Sequence, residues 1–177
     1  DSFGGVRQGD LLCGTLVIRG GRAEAIERDP SLERPRHIVM PRLSEAHVHL
    51  DKCHSIDRCT EVGGDLSVAI AVQRRDKALW TAEDLRRRAG RGLEELVRAG
   101  CGAVRSHVDW ATGPGHPDMP LAWEVLGDLA EDAAGRGLVL QRAALTGIDE
   151  MADAAVAGAV ARTVARTGGA LGSFVLH

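Results

Sequence analysis

The chain has 177 residues, enough to bury one sizeable core, and its 44% hydrophobic and 27% charged content is ordinary for a globular protein. A formal charge of −3 argues against an electrostatic nucleic-acid or membrane partner. Basic charge is nearly all arginine, with Lys52 and Lys77 the only lysines, a bias that reads as genome composition.

Residues 11–28, "LLCGTLVIRGGRAEAIER", predict two short strands, "TLVI" and "AEAI", about a turn at Gly20, Gly21 and Arg22. A Pro-punctuated stretch, "DPSLERPRH", leads into "MPRLSEAHVHLDKCHSID". From there strands alternate with helices. "SEAHVHL" is a strand, and "LSVAIAVQRRDKALW" has apolar residues at helical spacing. In "TAEDLRRRAGRGLEELVRAG", Thr81 is a good N-cap with Asp84 three residues on, a start resembling a capping box. Leu85, Ala89, Leu93, Leu96 and Val97 make its apolar stripe, and Gly100 ends it through a left-handed cap. "RDKALW" and "RRRAG" look basic, but Asp76, Glu83 and Asp84 interleave, so they read as solvated helix faces.

The second strand is "GAVRSHVDW", followed by the loop "ATGPGHPDMP" and a helix at "LAWEVLGDLAEDAAGRG". "LVLQRAAL" is the third strand, "DEMADAAVAGAVARTVARTGG" the next helix and "ALGSFVLH" a fourth strand. Such alternation argues a parallel sheet with helical crossovers. A (β/α)₈ barrel takes about 250 residues, and these four strands in roughly 130 make half of one. The alternatives are an open α/β sheet and a fragment of something longer, and the uncovered final strand favours the fragment. Half a barrel exposes the edges of its first and fourth strands, so a partner is expected: a missing C-terminal half or a second copy of the chain.

Cys13, Cys53, Cys59 and Cys101 form no CxxC pair and read as reduced thiols, with packing favoured over a metal role for Cys53 and Cys59. No signal peptide is apparent and no apolar run approaches a membrane span, so the expected location is the cytoplasm.

In a strand, residues i and i+2 share a face. His47 and His49 therefore project side by side, with Val48 opposite, where neutral imidazoles can bind one zinc, iron or nickel ion from adjacent corners. The bland alternative is two half-exposed histidines satisfied by backbone carbonyls. In the second strand Ala103, Arg105, His107 and Asp109 share one face and Val104, Ser106 and Val108 the other. His107 and Asp109 come out at the rim of the first pair, with Asp109 either orienting an imidazole or binding substrate, or tied to His107 in a buried pair.

"MPRLSEAHVHLDK" resembles the opening strand of the amidohydrolase superfamily, in its cytosine deaminase branch, with "GCGAVRSHVD", "LVLQRAAL", Gly147-Ile148 and "LGSFVLH" following in order. The resemblance implies a (β/α)₈ TIM-barrel amidohydrolase fold of which about four β/α units are present. Residues 1–40 would be part of a small β-sandwich and its lead-in, and residues 41–177 the N-terminal half of the barrel. It further implies a mononuclear zinc or iron site with His47 and His49 as ligands and Asp51 as a support behind them. His107, Asp109 and His177 would be catalytic, and Gln141, Thr146 and His177 would contact substrate. The implied reaction is hydrolysis by metal-activated water of a C–N bond, other than a peptide bond, in a small cyclic amidine, pyrimidine or triazine-like ring. Leu145-Thr146 stands where cytosine-specific members carry Pro-Gln, which argues against cytosine itself. Two alternatives are a cyclic amidase of the dihydroorotase type, disfavoured because "ALGSFVLH" has no lysine, and an inert half-barrel acting only in binding.

Overall fold

The computed structural model describes residues 4–29, 36–60, 63–112 and 119–175. The chain divides into two compact units, Asp1–Pro41 and Arg42–His177. Among the described residues no helix is long and apolar enough to cross a membrane.

The first unit holds two antiparallel hairpins. In one, β1 (Val6–Gln8) pairs with β2 (Leu11–Cys13); in the other, β3 (Thr15–Arg19) pairs with β4 (Arg22–Glu27). Gly20 and Gly21 connect the second pair with φ of 55° and 76°. Positive φ at both central residues is what a tight hairpin turn matching the strand twist demands, and glycine meets it without steric penalty. The second hairpin lies where "TLVI" and "AEAI" place it. The first carries no alternating apolar signal, its residues being mostly exposed, and was not foreseen.

The second unit is a four-stranded parallel sheet in the order β5 (Leu43–Val48), β6 (Cys101–Asp109), β7 (Val139–Gly147), β8 (Ala170–Phe174). Between β5 and β6 run a 3₁₀ turn (Ile56–Arg58), α1 (Leu66–Lys77) and α2 (Ala82–Arg98). α3 (Leu121–Ala134) joins β6 to β7, and α4 (Ile148–Met151) with α5 (Ala154–Thr167) joins β7 to β8. The last helical stretch is thus broken in two, because the Asp153 carboxylate caps a new start by accepting from the Ala155 and Val156 amides. This is a parallel α/β arrangement of four strands.

Helix ends follow their sequence signals. Thr81 Oγ accepts from the Asp84 N–H at 3.1 Å, and Gly100 takes φ 95° as its N–H closes on the Val97 carbonyl. The Asp84 carboxylate does not complete a capping box; it is turned to Arg58 and Arg88.

Alternation decides which sheet face is covered. Val104 and Val108 of β6 and Leu140 and Ala144 of β7 pack into one core with Leu85, Ala89 and Leu93 of α2, Trp123, Val125 and Leu126 of α3, and Val160 and Val164 of α5. Ser106, between the two valines, is fully buried and accepts from the Leu50 N–H at 3.1 Å. Arg105, His107 and Asp109 occupy the opposite face.

Candidate active site

The C-terminal ends of β5 and β6 carry the polar groups. His47 lies in β5, its N–H donating to Glu45 Oε1 at 2.9 Å, and His49 follows the strand, its carbonyl accepting from the Lys52 and Cys53 amides at 3.1 Å each. The His47 and His49 ring centroids are 5.4 Å apart, edge to face, while Val48 packs against the core. His107 stacks on His47 at 4.0 Å and lies 5.9 Å from His49. Three imidazoles from two adjacent strands therefore form one cluster.

Burial acts on two of them, His49 and His107. The His49 imidazole is pushed down to about 4, first by desolvation and then by the Lys52 ammonium. His107 is lowered too, by burial and then by His47 and Arg105. Both are neutral at neutral pH, and the Nδ1 atoms of His49 and His107 are buried without a hydrogen-bond partner. Orphaned, uncharged imidazole nitrogens suit a metal ion or a donor on a ligand. Among the described residues, however, no group of three His, Cys, Asp or Glu side chains is arranged to hold a metal ion. His177 lies outside the described residues.

Asp109 does not pair with His107. Lys52 Nζ meets its Oδ1 at 2.7 Å, and Lys77 Nζ donates to its Oδ2. Burial pushes the Asp109 carboxyl up, but the two ammonium groups outweigh it and hold it below the usual carboxylate range. Both lysines of the chain thus converge on one carboxylate, a contact that bridges 57 and 32 positions of sequence in one direction and was invisible to motif reading. Neither lies on β8. Asp51 is the opposite case. It is 1% exposed, neither carboxyl oxygen has a hydrogen bond of good geometry, and desolvation followed by the Asp109 charge pushes it up to about 7.

The loop after His49 is fixed from behind. Arg88, expected on a solvated face, is 1% exposed. Its Nη1 donates to the carbonyls of Asp51 (2.7 Å) and Cys53 (2.8 Å), its Nε to Asp84 Oδ2 (2.8 Å), and its guanidinium covers the Trp80 ring at 5.1 Å. Arg58 bridges Asp76 and Asp84, and Trp80 Nε1 donates to Asp76 at 2.8 Å. Asp76, also expected at the surface, is buried; its carboxyl is lowered because the Arg58 and Trp80 hydrogen bonds overcome desolvation. Asp84 falls to about 2, chiefly through Arg58. Within the basic run Arg86 and Arg87 stay exposed, and Arg88 alone is buried, because its guanidinium finds a carboxylate and two carbonyls there. α2 also comes very close to the loop at Gly92, where a Cβ would stand 2.9 Å from Cys53 Sγ and 3.2 Å from a Leu50 methyl.

Cys53 itself is a packing residue: its thiol donates to the Leu50 and Arg88 carbonyls, and burial pushes it up to about 11. All four cysteines are free. Next to the histidines opens a groove of about 1330 Å³, lined by His49, Lys52, Lys77 and Asp109 and by the apolar Ile70, Trp80, Trp110, Leu145 and Phe174.

The two third-strand candidates sit elsewhere. Gln141 pairs in register with Arg105, two residues before the level of His107, and accepts from Arg105 Nε at 2.5 Å. Thr146 is fully buried and donates to the Gly172 carbonyl at 3.1 Å. It shares the parity of Leu140 and Ala144 on the helix-covered face, and neither it nor Gln141 is among the described residues lining the groove.

Fold and site together define a parallel α/β protein with an imidazole cluster at the C-terminal ends of its strands, beside an open groove. No family model matches the chain. It is 31% identical over 136 residues, 76% of its length, to the pterin deaminase of Rhizobium rhizogenes (strain K84 / ATCC BAA-868), and it spans 30% of that relative's length.

Proposed function

We propose that this chain contributes the opening strands of a metal-dependent hydrolase of amidohydrolase type, one that deaminates a small amino-substituted heterocycle. The reaction adds water at a ring carbon, releases ammonia and leaves a lactam carbonyl. The observation that carries the reading is the pairing of His47 and His49, with His107 against them, at the strand ends that border the groove. Likeness to a pterin deaminase supports a ring of pterin type. A groove of about 1330 Å³ accommodates a bicyclic ring, since ligand pockets are commonly about 300–1,000 Å³.

A zinc or iron ion is the expected cofactor. The neutral imidazole of His49, with its buried and unpartnered Nδ1, fits such an ion, and His47 beside it would be the second ligand. Catalytic zinc usually takes three protein ligands, so further donors would have to come from outside the described residues. When bound, the ion would supply Lewis acidity and lower the pKa of water.

The chain's own groups have distinct tasks in this proposal. His107 stacks on His47 and limits its ring to one orientation. Asp109, kept ionised by its two lysines, is a fixed acceptor for an amino or ring N–H of the substrate rather than a group that changes protonation at neutral pH. The Arg88 contacts to the Asp51 and Cys53 carbonyls hold the loop that follows His49. The test is the His47→Ala/His49→Ala double variant of the full-length protein, read by metal content and by ammonia release from pterin. Metal and turnover should vanish together. A double variant that retains one metal per chain and still deaminates would show that the site lies elsewhere.

A further inference from the structure

We infer that Lys52 and Lys77 form a subsite for an anionic substituent, a carboxylate above all, on the ligand that occupies the groove. This rests on the groove being a ligand site, as in the proposed function, but not on the reaction. Three observations point to it. First, the two residues are the only lysines among 22 basic positions, yet they arrive at one point from different elements, Lys52 from the loop after β5 and Lys77 from the last residue of α1. Arginine serves every other basic position. An ammonium differs from a guanidinium in being a compact charge with three donors in no fixed plane, suited to gripping one point from two sides.

Second, the charges do not balance. Two ammonium groups share a single carboxylate, so among the described residues Asp109 is the one acid that either ammonium contacts at the groove wall. Their side chains are 21% and 29% exposed, which leaves donors facing the opening. Of the remaining charged wall residues Arg74 is cationic and Glu150, whose Oε2 accepts from the Gly147 N–H at 3.1 Å, is anionic, so Lys52, Lys77 and Arg74 face only Asp109 and Glu150. The adjoining apolar wall, Trp80, Trp110 and Ile70, lowers the local dielectric and strengthens attraction for an anion.

Third, the residues next to both lysines are held in place. Arg88 donates to the carbonyls on either side of Lys52, those of Asp51 and Cys53. Lys77 directly follows Asp76, which Arg58 and Trp80 fix. The buried ion network is therefore also the mount for two cations at the surface of the groove.

The experiment measures binding, by ligand fluorescence, of pterin and of pterin carrying one ring carboxylate to the full-length protein and its Lys77→Met, Lys52→Met and Lys77→Arg variants. The carboxylated ring should bind about tenfold tighter than the parent, the worth of one charge-assisted hydrogen bond. Each methionine variant should erase most of that ratio, and Lys77→Arg should retain part of it, which guards against a variant that merely unfolds. Equal affinity of the wild type for both rings would overturn the inference, as would a methionine variant that weakens both to the same degree. Absence of ammonia release with the affinity ratio intact would refute the proposed reaction and leave this subsite standing.

Discussion

Two layers of the molecule meet at the loop between His49 and Ser55, and they are built in opposite ways. Behind it, Arg58, Asp76, Asp84 and Arg88 match charge with charge, and only Arg88 Nη2 lacks a hydrogen bond. In front, His49 Nδ1 and His107 Nδ1 are buried without partners, and neither Asp51 carboxyl oxygen has a hydrogen bond of good geometry. Buried polar groups are ordinarily satisfied, so a concentration of unsatisfied ones marks where the fold keeps binding capacity in reserve. The rear layer is rigid so that the front layer can be left incomplete.

The strongest way to break this contrast is Arg88→Met. It removes the ties to both loop carbonyls and to Asp84, and losing one partner of a buried ionic cluster costs about 3–5 kcal/mol. Urea unfolding should show that loss, with a smaller one for Arg88→Lys. An unchanged midpoint would mean that the loop holds itself.

The front layer is read by pH, on chelator-treated protein. Asp51 is raised from 3.8 to about 7 in the folded state, so the native protein holds that proton longer, and this group erodes stability as pH rises across that window. His49 is lowered from 6.5 to about 4, so its contribution is present above pH 6.5 and lost as pH falls toward 4. The two slopes oppose one another. Asp51→Asn should expose the acid-side loss and His49→Gln the alkaline-side loss, each visible in the denaturation midpoint between pH 4 and 7. Parallel profiles for the wild type and both variants would contradict this assignment. The smallest effect is expected at the start of α2: Thr81→Ala, which removes its cap, should cost about 1 kcal/mol and leave the pH profile unchanged.

Much of the fold was legible because periodicity is local. The shift from period-2 to helical spacing located the β5–β8 strands and the helices between them, and parity alone put His47 and His49 on one face and Val104, Ser106 and Val108 on the other. What escaped was set by contacts distant in sequence. Arg88 in a run of arginines gives no local sign that Asp84 and two carbonyls await it. Lys52 and Lys77 stand 25 positions apart and are united only when α1 folds back over the β5 loop. Thr146 was a substrate candidate by motif position, although the alternation through Leu140 and Ala144 already set it on the covered face.

Gly92 shows how narrow the tolerance behind the histidines is. There is no room even for a methyl group between α2 and the Leu50–Cys53 segment, so a side chain there would press on the loop that follows His49. Each carbon added at that position would act as a set-screw, advancing His49 into the groove by tenths of an ångström. Ligand affinity could then be adjusted from a site that never touches the ligand.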